Sequence, residues 1–438
     1  MADGASSSDP AVQRQLDRLA ALSLPQGRLG LDAMHSLMAR LDHPERRLPP
    51  VFHIAGTNGK GSTAAFVRAM LEADGRCVHA YTSPHLVRFN ERIRVAGSLI
   101  DDAALAPLLK EVLDLSGDLG ASFFEITTAA AFLAFARTPA DATIVEVGLG
   151  GRLDATNVLP RPAVTAIAAL GIDHEAFLLA EETGSPRDPL TRIAWEKAGI
   201  AKQHAPLVTQ CYSAAMAAAI AGVAETAGAP LVARGGGWHA DAQADQLHYR
   251  DQAGTLDLPL PALPGAHQAD NAALAIAMLR HQDQLTVSAG AMERGLAAAH
   301  WPARLQKLGH GPLTDLVPQA TVWLDGGHNS NAGEALGAFV RERMGPVHLV
   351  IGMLANKNSD ALLAHLKGQL RSITVVPVPG HESHDQGAYT APDIPTASAS
   401  NVEAALRTLG PETRDTILIA GSLYLSGDVL RRNDMIPD

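Results

Sequence analysis

Short apolar runs alternate along this chain with stretches of helical periodicity. "PPVFHIA" (49–55) is one such run, and after a glycine-rich polar stretch Phe66, Val67, Met70 and Leu71 recur at the spacing of one helix face until Gly75 supplies a stop signal. That unit reads strand, loop, helix. It repeats: "RCVHAYT" (76–82) predicts a strand, "ITTAAAFLAFA" (126–136) a buried helix, and "ATIVEV" (142–147) and "AVTAIAAL" (163–170) two further strands. Alternation of this kind predicts an α/β domain with a mostly parallel sheet. From about Leu207 the chain turns Ala-rich and is expected to be helical; residues 235–265, dense in turn formers, follow as a hairpin-like segment, and "NAALAIAMLRH" (271–281) as a helix. Near "HWPARLQ" (300–306) strand–helix units restart, with strands expected at "TVWLDG", "VHLVIGML", "SITVVPV" and "TILIAG". This predicts a second α/β domain, and no repeat of solenoid period is present.

Length supports more than one core: 438 residues at roughly 150 per domain give two or three domains. A hydrophobic fraction of 47% beside 18% charged residues fits a soluble globular protein, and no apolar run approaches the ~20 residues of a membrane helix. The opening "MADGASSSDP" has neither a basic start nor an apolar stretch, so it is read as a frayed polar tail rather than a secretory signal or transit peptide. Cys77 and Cys211 are the only cysteines, which excludes a disulfide framework and a thiolate metal cluster and fits a reducing cytoplasm. A formal charge of −11 argues against sequence-independent nucleic-acid binding. An anionic substrate therefore requires locally placed cations.

Open α/β sheets bind ligands beyond the carboxyl ends of their strands. Lys60 lies past the first predicted strand, Ser83 past the second, Glu146 at the end of the third and His174 shortly after the fourth, so all four are expected at one crevice. "HIAGTNGKGST" (53–63) resembles a phosphate-binding loop with two departures: Ile54 stands where a glycine is usual, and Gly61 where a hydroxyl follows the lysine. Glycines 56, 59 and 61 would let backbone N–H groups close on phosphate oxygens, the helix start favours anionic charge, and Lys60 can reach terminal phosphates. Gly61 moves Ser62 from the usual metal-facing place, which leaves Ser83 positioned to hold magnesium.

Glu146 reads either as a buried structural acid or as a magnesium ligand. Magnesium takes a few hard oxygen ligands together with nucleotide phosphates, and glycines 148, 150 and 151 beside Glu146 suit that reading better. His174 alone would read as an ordinary hydrogen-bonded histidine; only its expected place in the crevice favours metal. Lys197, in "RIAWEKAGI" (192–200), reads from its position as a cation at a helix C-terminus ahead of Gly199. "HESHD" (381–385) has metal-like composition but sits in a Gly- and Pro-flanked stretch and is read as a solvated loop.

"GTNGKGS", "TSPHLVRFNERI", "FFEITTAAAF", "EVGLGGRLDATNV", "GIDH", "EKAGI", "LPGAHQADNAALA", "LDGGHN" and "GSLYLSGDVL" follow one another from about Leu29 to the C-terminus. Their order resembles that of the folylpolyglutamate synthases and dihydrofolate synthases of the Mur ligase superfamily, including bifunctional members. The two departures in the phosphate loop are that family's own pattern. The resemblance implies an α/β fold with an N-terminal P-loop ATPase domain over residues 1–303 and a smaller C-terminal Rossmann-like α/β domain over 304–438 that binds glutamate, active where the second closes on the first.

It also implies roles. The loop Gly56, Thr57, Asn58, Gly59, Lys60, Gly61 and Ser62 would bind ATP. Ser83 and Glu146 would hold a first Mg2+, and Glu146, His174 and Lys197 a second, with Lys197 carbamylated. Asn271 would contact adenine, Arg304 phosphate and Asp325 ribose; His328 and Ser422 would lie near the incoming glutamate. Asp154, in the specific "GGRLDATNV" motif, would contact the other substrate, as would Arg88 and Arg92. For the arginines of "RFNERIR" (88–94) this stands beside the reading of a solvated face.

Three stretches depart from the family pattern: Ala303 stands where glycine precedes Arg304, Gly327 where alanine precedes His328, and "LLAEETGSPRDPLT" (178–191) is several residues longer than usual. The last is expected to reshape the rim beside the second metal. The activity expected is ATP-dependent ligation of L-glutamate to dihydropteroate and to folates, by a monomeric cytoplasmic enzyme without nucleic-acid or membrane partners. A cell-wall Mur ligase would carry a uridine-nucleotide domain before the ATP loop, for which residues ahead of Gly56 leave no room. A nucleotide-dependent switch would not require Arg304, Asp325 and His328.

Overall fold

The structure, a computed structural model, describes residues 5–22, 30–389 and 393–438. Leu29, where the resemblance begins, and residues 1–4 of the expected polar tail lie outside them. Two compact units emerge, one of Met1–Ala262 with Gln268–His300 and one of Leu263–His267 with Trp301–Asp438.

In the first unit eight strands form one sheet: β1 (Val51–Ala55), β2 (Val78–Tyr81), β3 (Ile93–Val95), β4 (Ser98–Leu99), β5 (Ala142–Glu146), β6 (Val164–Ile167), β7 (Leu207–Thr209) and β8 (Leu231–Ala233). Their order is β4-β3-β2-β5-β1-β6-β7-β8, with every pairing parallel except β2–β3 and β3–β4, so that β3 alone runs against the rest. β1 and β5 are buried at every position, which is why both read as unbroken apolar runs. β1 sits between β5 and β6, so the loop after it opens where successive connections leave to opposite sides of the sheet, the place where such sheets bind ligands.

Ten helices surround this sheet among the described residues: α1 (Pro10–Ala20), α2 (Asp32–Arg40), α3 (Lys60–Ala73), α4 (Asp102–Leu115), α5 (Phe123–Arg137), α6 (Glu175–Leu178), α7 (Pro189–Ala198), α8 (Ala214–Ala227), α9 (Ala266–Arg280) and α10 (Ala289–Ala298). α1, α2, α4 and α5 bury one apolar cluster with Val51, Tyr81, Ile93 and Val145 of the sheet, while α6, α7 and α8 form a second around Ile167 and Leu207. The expected tail is corrected in part, since Asp9 caps α1 through the amides of Ala11 and Val12 and Pro10 opens the helix.

The stretch after Leu207 is corrected too. Two three-residue strands, β7 and β8, flank α8 and extend the sheet, too short to show a period against the surrounding alanines. The hairpin-like segment is a three-stranded antiparallel meander of β9 (Trp238–Gln243), β10 (Gln246–Asp251) and β11 (Gly254–Pro259).

The second unit holds a six-stranded sheet of β12 (Gln306–Lys307), β13 (Thr321–Leu324), β14 (Val347–Ile351), β15 (Leu370–Val375), β16 (Thr396–Ser398) and β17 (Thr416–Ala420), ordered β12-β13-β17-β14-β15-β16. Only β12 runs antiparallel. It carries α11 (Ser330–Phe339), α12 (Ser359–Leu366), α13 (Val402–Leu409) and α14 (Leu423–Arg432). All four expected strands are present; the edge strands β12 and β16 were not anticipated. Among the described residues no helix is long and apolar enough to cross a membrane.

Candidate active site

The loop after β1 is fixed from below by β6. Thr57 and Asn58 donate their amides to the Ala169 carbonyl at 2.8 and 3.1 Å, and the Thr57 hydroxyl donates to the Gly171 carbonyl at 2.8 Å. Gly59 is the N-cap of α3 with φ +82°, and no side chain caps the helix, so the first amides of α3 remain free to meet an anion. A Cβ at Gly59 would collide with the Asn271 carboxamide, which places the expected adenine contact directly against this loop. Asn271 is itself held by Gln268 at 3.0 Å.

Two lysines converge on a single backbone carbonyl. Lys60 Nζ donates to Gly56 O at 3.1 Å and Lys197 Nζ donates to the same oxygen at 3.0 Å. Burial, and then the charge of Lys60, pull the Lys197 amine down to about 7. Two amines sharing one carbonyl present several N–H donors to the cleft, and that donor set fits the phosphates of a nucleotide. Glu146 ends β5 with its Oε1 4.0 Å from Lys60 Nζ, and its Oε2 accepts the Ser83 amide at 3.2 Å. His174 is the N-cap of α6 in a left-handed conformation, its side chain 46% exposed. Gly56, Thr57, Lys60, Gly148, Gly150, Asp173, His174 and Lys197 line one cleft of ≈ 260 Å³.

Thus Lys60, His174 and Lys197 open onto one cleft, with Glu146 and Ser83 linked to it through Lys60 and through each other. Asp173, which also lines the cleft, was not singled out in the sequence, although "GIDH" contains it. Among the described residues no three His, Cys, Asp or Glu side chains gather into a metal cluster. The oxygen-bearing groups at hand, the Glu146 carboxylate, the Ser83 hydroxyl and the Asp173 carboxylate, suit a hard cation that completes its shell with phosphate and water.

Asp154 is 4% exposed beneath the glycine-rich loop. It accepts the amides of Leu149 at 2.8 Å and Thr156 at 3.0 Å, and the Thr156 hydroxyl bridges it to His53 Nε2 at 2.8 Å; burial raises its carboxyl. In the 88–94 loop the arginines separate. Arg88 is exposed, whereas Arg92 is 1% exposed, donates from Nε to His85 Nδ1 at 2.9 Å and lies over the rings of Phe89 and Phe123. A uniformly solvated face is therefore ruled out. Glu91 gathers the amides of Leu86, Val87 and Arg88 at 2.6–2.9 Å and gives the loop its shape.

In the second unit Arg304, Asp325, His328 and Ser422 fall at the carboxyl ends of β13 and β17. Asp325 accepts the amides of Leu305 at 2.8 Å and Gly327 at 2.7 Å, Ser422 caps α14, and a Cβ at Gly326 would meet both Leu423 and the Arg304 guanidinium. His328 Nδ1 lies 3.2 Å from the Gly326 carbonyl. The 381–385 stretch is more than a solvated loop, since His384 Nε2 donates to the Lys357 carbonyl at 2.7 Å and the His381 ring lies against that of Tyr424, tilted by 44°.

No protein-family model matches the chain. It is 34% identical over 424 residues to the dihydrofolate synthase/folylpolyglutamate synthase of Bacillus subtilis, covering 92% of this chain and 94% of the relative. The chain belongs to that family. Its members are ATP-dependent ligases. Escherichia coli FolC, solved with DHPP and ADP, superposes with a TM-score of 0.83 at 32% identity over 98% of both chains. A bifunctional folylpolyglutamate synthase/dihydrofolate synthase solved with Mn, AMPPNP and L-glutamate gives a TM-score of 0.82 at 30% identity, covering 97% of this chain and 99% of the other.

Proposed function

We propose that this protein joins L-glutamate to dihydropteroate and to reduced folates, using ATP and releasing ADP and phosphate. The convergence of Lys60 and Lys197 on the Gly56 carbonyl, beside Glu146 and at the open end of α3, is the observation that carries this reading. A carboxylate does not acylate an amine at neutral pH because its oxygen is a poor leaving group. Its attack on the γ-phosphorus of ATP makes an acyl phosphate and expels ADP; the amine of glutamate then attacks the carbonyl carbon, phosphate departs, and the amine proton is lost.

In this account the amides of α3 and the Lys60 ammonium hold the phosphates and oppose the charge that spreads over the transferring group. Asn271 orients the base, Arg304 and Asp325 hold the rest of the nucleotide, and His328 and Ser422 orient glutamate. Arg88 and Asp154 serve the pterin substrate; Arg92, buried beneath its loop, acts by shaping it. Two Mg2+ ions, a first held by Ser83 and Glu146 and a second by Glu146, His174 and Lys197, would supply further neutralisation of phosphate charge.

Lys197 joins that set as a carbamate. An amine held near 7 is substantially neutral at physiological pH, so its lone pair can attack CO2; the N–C bond forms, a proton leaves, and a carbamate whose single negative charge is shared by two oxygens replaces the amine. Carbon-13 NMR with labelled bicarbonate should show a carbamate resonance that is absent in Lys197→Arg. An ammonium at this position in active, metal-loaded protein contradicts the carbamate.

The protein is read as a monomer with one centre for both additions. Purified protein assayed for phosphate release should respond to dihydropteroate and to tetrahydrofolate, each only with glutamate present, and not to UDP-muramoyl peptides. Response to tetrahydrofolate alone would leave a monofunctional folylpolyglutamate synthase. Response to neither overturns the proposal.

A further inference from the structure

Four charged side chains close a ring behind the cleft. Glu182 Oε2 accepts from Arg152 Nη2 at 2.6 Å and from Arg192 Nη2 at 2.9 Å, and Glu196 Oε1 accepts from Arg152 Nη2 at 3.0 Å and pairs with Arg192 Nη2 at 2.9 Å. Cations and anions therefore alternate around the ring. Both guanidiniums also lie over the Trp195 ring, at 4.5 and 4.7 Å from its centroid. The Arg192 and Glu196 side of the ring is buried, while Arg152 and Glu182 are partly exposed.

The members come from three parts of the chain. Arg152 follows the glycines after Glu146; its amide donates to the Glu196 carbonyl at 2.8 Å, and a Cβ on neighbouring Gly151 would come within 2.9 Å of the Glu196 and Lys197 carbonyl oxygens. Arg192 and Glu196 lie on α7, which carries Lys197. Arg192 Nε also donates to the carbonyl of Leu178, the last residue of the short helix that His174 opens, and the Leu178 side chain packs against Gly150. Glu182 comes from the 178–191 segment, which the resemblance reads as longer than the family pattern. Without Glu182, the buried Arg192 guanidinium and the half-buried Arg152 guanidinium would share a single carboxylate, a charge imbalance that is costly where Arg192 is out of water.

We propose that Glu182 is a positioning residue: the long segment folds back as a latch whose carboxylate locks the glycine loop, the His174 turn and the Lys197 helix in register for the metal–nucleotide complex. The latch rests on the ATP-ligase reading only for its second consequence. Its first, a fastened segment, is independent of any ligand.

The variants Glu182→Gln and Glu182→Asp test both consequences in the full-length protein. Arg187 is exposed within the segment and is a trypsin site. The latch predicts that Glu182→Gln is nicked after Arg187 several-fold faster than wild type, and that its calorimetric affinity for Mg2+·AMPPNP falls by about tenfold, the scale on which partners behind metal ligands act. Glu182→Asp, which keeps the charge on a shorter arm, should recover part of both. Affinity for Mg2+-free nucleotide should change little, a split that general loosening of the fold would not produce.

An unchanged nicking rate overturns the latch. Faster nicking with wild-type Mg2+·AMPPNP affinity shows a fastened surface segment that does not serve the site, and equally overturns the inference. Failure of the wild-type protein to bind the nucleotide would strike the ATP reading, while the nicking comparison would still decide whether Glu182 fastens the segment.

Discussion

Glu146 and His53 show how differently residues of the same sheet bear on function. Glu146 faces Lys60 and the Ser83 amide, so Glu146→Gln keeps the volume while removing the charge. Turnover should fall at least ~10²-fold, the scale of losing a group that stabilises transition-state charge, with an unchanged melting curve; near-normal turnover at saturating Mg2+ would remove Glu146 from the metal site. His53, fully buried on β1, is held down to about 3, mainly by burial and then by the charge of Lys202. Folding thus favours its neutral form. Above its unfolded value near 6.5 this costs nothing, but as pH falls from there toward 3 the unfolded chain takes up a proton that the folded protein refuses. Stability should decline over that window, by roughly 2 kcal/mol at pH 5 from this group. Urea titrations at pH 7 and 5 check this, since His53→Gln should remove that share of the difference. Lys60, Ser83, Glu146 and His174 were legible because each sits just past an apolar strand. The engagement of Asp154 with Thr156 and His53, and the burial of Arg92, were not, because both depend on residues that meet only in three dimensions.

At the scale of elements, strands buried on both faces announced themselves, and helix boundaries did not. The helix expected from Ile126 starts at Phe123, because Ser122 and Glu125 form a capping box: the Ser122 hydroxyl accepts the Glu125 amide while the Glu125 carboxylate accepts the Ser122 amide. Ser122→Ala should therefore destabilise the first unit by about 1 kcal/mol, read as a lower urea midpoint with an unchanged slope. An unaltered midpoint would show the cap to be dispensable. α9 likewise begins at Ala266, ahead of the apolar stretch from Asn271 that announced it. The strands β7, β8, β12 and β16 are two or three residues long and carry too few positions for a period to register. The Ala96–Gly97 turn that joins β3 to β4 has both residues at positive φ, and the strands it links are only three and two residues long, too short to show alternation.

For the whole molecule, the alternation of strands and helices was enough to give two α/β units, and the order of the motifs was enough to give the family. The chemistry is the step that no arrangement of backbone displays. An acyl phosphate and a direct displacement would use the same phosphate loop and the same lysines, and they differ in the fate of one oxygen atom. With dihydropteroate labelled by oxygen-18 in its carboxylate, activation by ATP leaves a labelled oxygen bridging carbon and phosphorus, and attack by glutamate expels that oxygen with the phosphate. Mass spectrometry of the released phosphate should therefore find one oxygen-18 per molecule of amide product. Phosphate that carries no label while amide accumulates would contradict the account.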